Sequence, residues 1–156
     1  MSSQQPSPSD FTIGRVTRLT PELAEAMDRL IPQLSPGRRP PSEAELLEML
    51  GDDRVHLFAA RSADGAIQGM VALVFYRVPT GLRARIEDVI VCESERGHGL
   101  GKALMLRAMG AAREAQAHVL DLTSNPSRKE ANALYLRLGF QPWKTNVYRK
   151  LLDADE

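Results

Sequence analysis

Between Ala84 and Ser124 the chain runs from an apolar stretch, ARIEDVIVC, through the glycine-rich ERGHGLGK, into a Leu/Ala/Met-rich segment, and out into HVLDLTS. Two strand-like runs joined by a helix-length segment are accommodated as a parallel pair, because the helix carries the chain back along the sheet. This crossover commits the chain to an α/β architecture. The intervening helix is predicted over Leu100 to Ala115, a span with no proline and a single interior glycine, Gly110, after the opening Gly101.

The half before the crossover reads as mainly antiparallel. TIGRVTR, residues 12–18, alternates apolar and polar and suggests a first strand. Thr20 as N-cap and Pro21 at the first helical position open a helix with Leu23, Met27 and Leu30 on one face, and PQLSPGRRPP is expected to end it. Ser42 and Glu45 form a capping-box pattern for a second, short helix closed by Gly51. VHLFAAR and IQGMVALVFYRV flank the turn signal ADG as a hairpin, and PTG turns the chain into ARIEDVIVC. Ser127 with Glu130 suggests another capping box, opening a helix that runs to Gly139, while FQPW and NVYRKLL are expected to be closing strands. The fold expected is α/β, a mixed sheet of about six to seven strands flanked by about four helices. Residues 1–10 are expected to be a flexible polar tail, and 11–152 a single domain.

With 156 residues, 43% of them hydrophobic, the chain can build one ordinary core. Lys plus Arg and Asp plus Glu each total 20, so no net charge draws it to nucleic acid or an anionic membrane. No apolar run approaches the roughly 20 residues of a membrane span. The single cysteine, Cys92, and three scattered histidines carry no metal-ligand spacing, so no metal is expected, and the cysteine usage fits a cytoplasmic protein.

The glycines constrain function further. A Walker A loop would need glycine at Arg96 and a hydroxyl at Ala103; a dinucleotide fingerprint would need glycine at Lys102 or Leu104. Both fail. What remains is Arg96-x-x-Gly99-x-Gly101 between a strand and a helix, either a plain turn or a place where backbone N–H groups converge on a phosphate at a helix N-terminus.

In this context the motif resembles the acetyl-coenzyme A motif of the GNAT superfamily of N-acetyltransferases, Gln/Arg-x-x-Gly-x-Gly/Ala. The likeness takes in IEDVIV before it and ALYLRLGF after it, which is similar to the family's LYxxxGF signature, and covers about residues 84 to 140. The resemblance implies acetyl-coenzyme A as co-substrate, with its pyrophosphate on the amides of Arg96, Gly97, His98, Gly99, Leu100, Gly101 and Lys102. It also implies pantetheine along the backbone of Val89, Ile90 and Val91, and Tyr135 as proton donor to the leaving thiolate. A phenol is protonated at neutral pH and suits that role, although Tyr135 also fits as a tyrosine covering the core. Many relatives carry asparagine seven residues before the tyrosine; here position 128 is arginine, and Asn125, or Ser127 and Arg128 at the helix start, are the nearby substitutes, with turn formation and capping the plainer roles of Asn125 and Ser127.

Amide formation from a thioester also needs a base. By the two-residue period Arg85, Glu87, Val89 and Val91 share one face of their strand, so Glu87 is the candidate, acting through water, unless it is simply ion-paired with Arg85. Asp88, on the other face, and Asp121 are weaker candidates. Cys92 reads as a small semi-buried residue, His98 as a loop residue, and Trp143 and Tyr148 as packing residues. The acceptor is expected to be a small-molecule or peptide amine, with Arg38 and Arg39 able to meet an anionic one. No nucleic-acid or membrane partner is expected, and a homodimer is compatible. The alternative is a catalytically silent coenzyme A-binding sensor or interaction module.

Overall fold

A computed structural model describes residues 7–152. Among these, five strands form one sheet in the order β1-β2-β3-β4-β5: β1 (Thr12–Val16), β2 (Val55–Arg61), β3 (Ile67–Val78), β4 (Gly81–Val91) and β5 (Val119–Asp121). The first four pair antiparallel, and β4 pairs parallel with β5, as the crossover requires. Four α-helices accompany them among the described residues: α1 (Pro21–Leu34), α2 (Glu43–Gly51), α3 (Leu100–Glu114) and α4 (Lys129–Arg137). None is long and apolar enough to cross a membrane. The chain divides after Thr123 into two compact units.

In the first unit the sheet is covered on both faces. Leu23, Ala26, Met27 and Leu30 of α1 and Leu46 of α2 pack with Leu57, Ala59, Met70, Ala72 and Ile90 of the strands. Next to Met70, a side chain at Gly69 would crowd Leu104 and touch Leu100 of α3, so consecutive residues of β3 address opposite layers. Thr20 accepts the Leu23 N–H at 3.2 Å as the expected N-cap. The Ser42–Glu45 capping box is complete, with both reciprocal hydrogen bonds formed.

Several expectations need correction. α1 does not stop at the proline segment but continues through Pro32 to Leu34. Pro32 lies in the last turn, where the missing N–H removes a bond from a helix already held by its buried face. Of the expected tail, residues 1–6 lie outside the described residues, and Pro8–Asp10 forms a 3-10 turn. HVLDLTS contributes only the three residues of β5.

In the second unit the Ser127–Glu130 capping box does not form. The N-cap is Arg128, without a side-chain bond, and Ser127 instead donates its N–H to Asn125 Oδ1 at 2.9 Å. The Asx turn at Asn125 outcompetes the cap for the same backbone group. Neither FQPW nor NVYRKLL is a strand, so the sheet has five strands instead of six to seven. Trp143 is 82% exposed and Tyr148 88%, so neither packs as expected; alternation alone gives no strand where no ladder partner accepts its backbone.

Candidate functional site

The glycine loop begins where β4 ends. A 3-10 turn, Glu93–Glu95, leads to Arg96, whose Nε donates back to the Val91 carbonyl at 3.2 Å. Gly97 and Gly99 both have φ of 82°, a left-handed conformation open to glycine and strained for other residues. Gly99 is the N-cap of α3 and supplies no side-chain acceptor, and the first amide of this turn to reach a backbone acceptor is Ala103, bonded to Gly99 O at 3.1 Å. The amides of Leu100, Gly101 and Lys102 therefore stand at an uncapped helix N-terminus. A Cβ on Gly97 would meet nothing within 4 Å, so the loop is open on that side. His98 Nδ1 lies 3.3 Å from Glu95 O, which ties the ring to the loop. An uncapped helix N-terminus, with its positive end and an open approach at Gly97, fits a pyrophosphate.

β4 differs from the sequence expectation in one decisive respect. Ala72 pairs with Glu87 but Met70 pairs with Ile90, so β4 holds one residue more than β3 across this interval. The bulge centres on Asp88, whose φ of 49° places an aspartate in the left-handed region. Phase is reset there. Glu87 and Ile90 stand opposite Ala72 and Met70 on the α1/α2 side, whereas Val91 stands opposite Gly69 on the α3 side. Glu87 and Val91 thus do not share a face, because the two-residue period cannot see an inserted residue.

Glu87 forms an ion pair with Arg85 Nε, and Arg85 also donates to Thr123 Oγ1 at 2.9 Å. Asp88 is exposed as a residue, yet the protein around its carboxyl raises its pKa, first by desolvation and then through the neighbouring Glu87 charge, with Arg38 opposing. Arg39 is engaged by both carboxylate oxygens of Glu45, at 2.7 and 2.6 Å. Cys92 is buried and unpaired. Burial raises its thiol pKa, but hydrogen bonds from Ser94 and the Arg29 charge outweigh it and leave the net shift downward.

In the second unit Tyr135 is 6% exposed. Desolvation raises its pKa, against a smaller lowering by Arg128, so its phenol keeps its proton through the neutral range. The LYLRLGF segment is a helix ending: Gly139, φ 92°, donates to Leu136 O at 3.1 Å and Phe140 to Tyr135 O at 3.0 Å, the paired bonds of a Schellman motif. Asn125 organises the turn before α4, its carbonyl also accepting from Asn132 Nδ2 at 2.9 Å.

The profile of the acetyltransferase (GNAT) family matches residues 23–140. The chain belongs to this family. An aminoalkylphosphonate N-acetyltransferase of Salmonella typhimurium is 29% identical over 92 residues, 58% of this chain and 59% of that protein, so the chain matches less than two thirds of that relative's length. Among solved structures, a transcriptional regulator from Bacillus halodurans is 27% identical with a TM-score of 0.71, covering 90% of this chain and 99% of that one. A Trypanosoma brucei acetyltransferase, 23% identical, shares the fold with a TM-score of 0.74, over 91% and 100% of the two chains. The general chemistry of that family is acyl transfer from acetyl-coenzyme A to amine acceptors.

Sequence reasoning missed the Asp88 bulge, the anchoring of Arg85 by Thr123, and the α1 side chains Arg29 and Gln33 at the root of the loop. An aspartate in a strand interior, where it is disfavoured, was the available signal for the first.

Proposed function

We propose that this chain transfers an acetyl group from acetyl-coenzyme A to a primary amine by direct attack in a ternary complex. The observation that carries the reading is the uncapped N-terminus of α3, fronted by two left-handed glycines and reached from a bulged β4 through the Glu93–Glu95 turn. In this reading the amides from Arg96 to Lys102 hold the pyrophosphate, and the backbone of Val89, Ile90 and Val91 runs along the pantetheine. Asn125 adds its amide group to the same ligand. The amine nitrogen attacks the acyl carbon, the tetrahedral oxyanion collapses, and the carbon–sulfur bond breaks. Glu87 takes the ammonium proton through water, and Tyr135 gives its phenolic proton to the departing thiolate.

A second reading of the base is favoured by one observation: Glu87 is held by Arg85, while Asp88, at the bulge, is the carboxyl whose basicity is raised. For the acceptor, the similarity to an aminoalkylphosphonate N-acetyltransferase supports a small amine bearing an anionic group. Arg38, whose charge reaches Asp88, is the cation to meet it, since Arg39 is occupied by Glu45.

Calorimetric titration with coenzyme A tests the loop: wild type binds, and Arg96→Ala combined with Gly99→Ala binds more weakly. Absence of binding by wild type overturns the donor site. Binding without thiol release over a broad amine panel would favour the silent sensor.

A further inference from the structure

Glu25, Arg29 and Gln33 follow one another at single-turn spacing along α1, and the chemistry above uses none of them. Arg29 Nε pairs with Glu25 at 3.0 Å. Its Nη2 donates to the Ile67 carbonyl at 2.6 Å, and its Nη1 lies 3.3 Å from both Gln68 Oε1 and Cys92 Sγ. Gln33 donates through Nε2 to the Arg29 carbonyl at 3.0 Å and accepts, on Oε1, the backbone N–H of Glu93 at 3.0 Å. Cys92 N–H in turn donates to Gln68 O at 2.8 Å. One helix ridge thus grips the start of β3 and the junction at which β4 becomes the glycine loop.

That junction has a particular need for fixation. Glycines let the loop adopt left-handed geometry but leave it conformationally free, and donors serve an anion only when they are held in place beforehand. Glu93 opens the turn that delivers Arg96 and Gly97. We propose that Arg29 and Gln33 are positioning residues that hold the root of the pyrophosphate loop through Cys92 and Glu93. The proposal rests on the acetyl-coenzyme A reading of that loop. It makes α1 a support of the donor site in addition to a layer of the core.

Calorimetry of the full chain with coenzyme A, together with initial rates and thermal melts, tests it on Gln33→Ala, Gln33→Glu and Arg29→Ala. Glu93 is exposed, so water can take up its N–H when Gln33 is truncated, and Gln33→Ala should melt close to wild type. Its coenzyme A affinity should fall about fivefold, as expected if the untethered loop holds its binding geometry only about a fifth of the time. The KM for acetyl-coenzyme A should rise in parallel, with kcat at saturating donor little changed. Gln33→Glu keeps an oxygen for the Glu93 N–H but gives up the Nε2 donation to the Arg29 carbonyl, and should recover part of the affinity. Wild-type affinity in Gln33→Ala, or an equal loss in Gln33→Glu, would overturn the proposal even if Arg29→Ala fails to fold. Wild type that does not bind coenzyme A would instead overturn the donor reading, and the positioning role with it.

Discussion

The backbone N–H of Phe140 donates to the carbonyl of Tyr135 at 3.0 Å, while their rings meet edge to face with centroids 6.2 Å apart. The sequence signature that contains them is therefore one helix ending, with Tyr135 at C3, Gly139 at C′ and Phe140 at C″. Gly139→Ala should destabilise this ending. A Cβ there meets nothing within 4 Å, so the cost is the left-handed φ alone, about 1–2 kcal/mol. Hydrogen exchange at the amides of Gly139 and Phe140 should quicken, and Gly139→Asn should lose less.

Tyr135→Phe keeps the ring contact and the helix ending but removes the phenolic proton. With Tyr135 as the acid, kcat should fall by about 10²-fold or more, with coenzyme A affinity nearly unchanged. Unaltered turnover would remove Tyr135 from the reaction.

The base is separable by pH profile. If Glu87 takes the proton, Glu87→Gln should abolish the acid limb of kcat/KM and Asp88→Asn should preserve it. If Asp88 takes it, the roles reverse, and the limb in wild type should lie above the ordinary aspartate value of 3.8, because burial and the Glu87 charge favour its protonated form.

Stability should fall on mild acidification through His56. Its ring lies 5.0 Å from Phe75 and 6.3 Å from Phe58. Desolvation lowers its pKa, joined by the charges of Arg15 and Arg107 and opposed by Asp53. The unfolded chain, with a value near 6.5, then binds more protons than the folded one. The His56 contribution is therefore fully present above that pH and is lost as pH falls through it toward the folded value. Melting temperatures from pH 8 down to about 5 should show this decline, and His56→Phe should flatten it.

The crossover, the loop and the hairpin were legible because each rests on a local pattern: period two, helix-forming composition, glycine punctuation. The Thr20 and Ser42 caps were legible for the same reason. Where the reading failed, a competing interaction lay beyond local pattern. The buried face of α1 carries it through Pro32; Asn125 captures Ser127 before a cap can; and an inserted residue at Asp88 separates the faces of Glu87 and Val91. Arg29 and Gln33 were invisible as functional residues because their partners, Ile67, Cys92 and Glu93, are distant in sequence.

Acetyl transfer from acetyl-coenzyme A to a primary amine is read out by thiol release from the purified protein with acetyl-coenzyme A and a panel of amines. The panel should include small aminoalkylphosphonates, amino sugars and lysine peptides, with mass spectrometry of each acceptor. Acetyl transfer predicts amine-dependent thiol release matched by the gain of one acetyl group on the acceptor, and its loss in Tyr135→Phe. Coenzyme A binding with no amine-dependent release across the panel would contradict it.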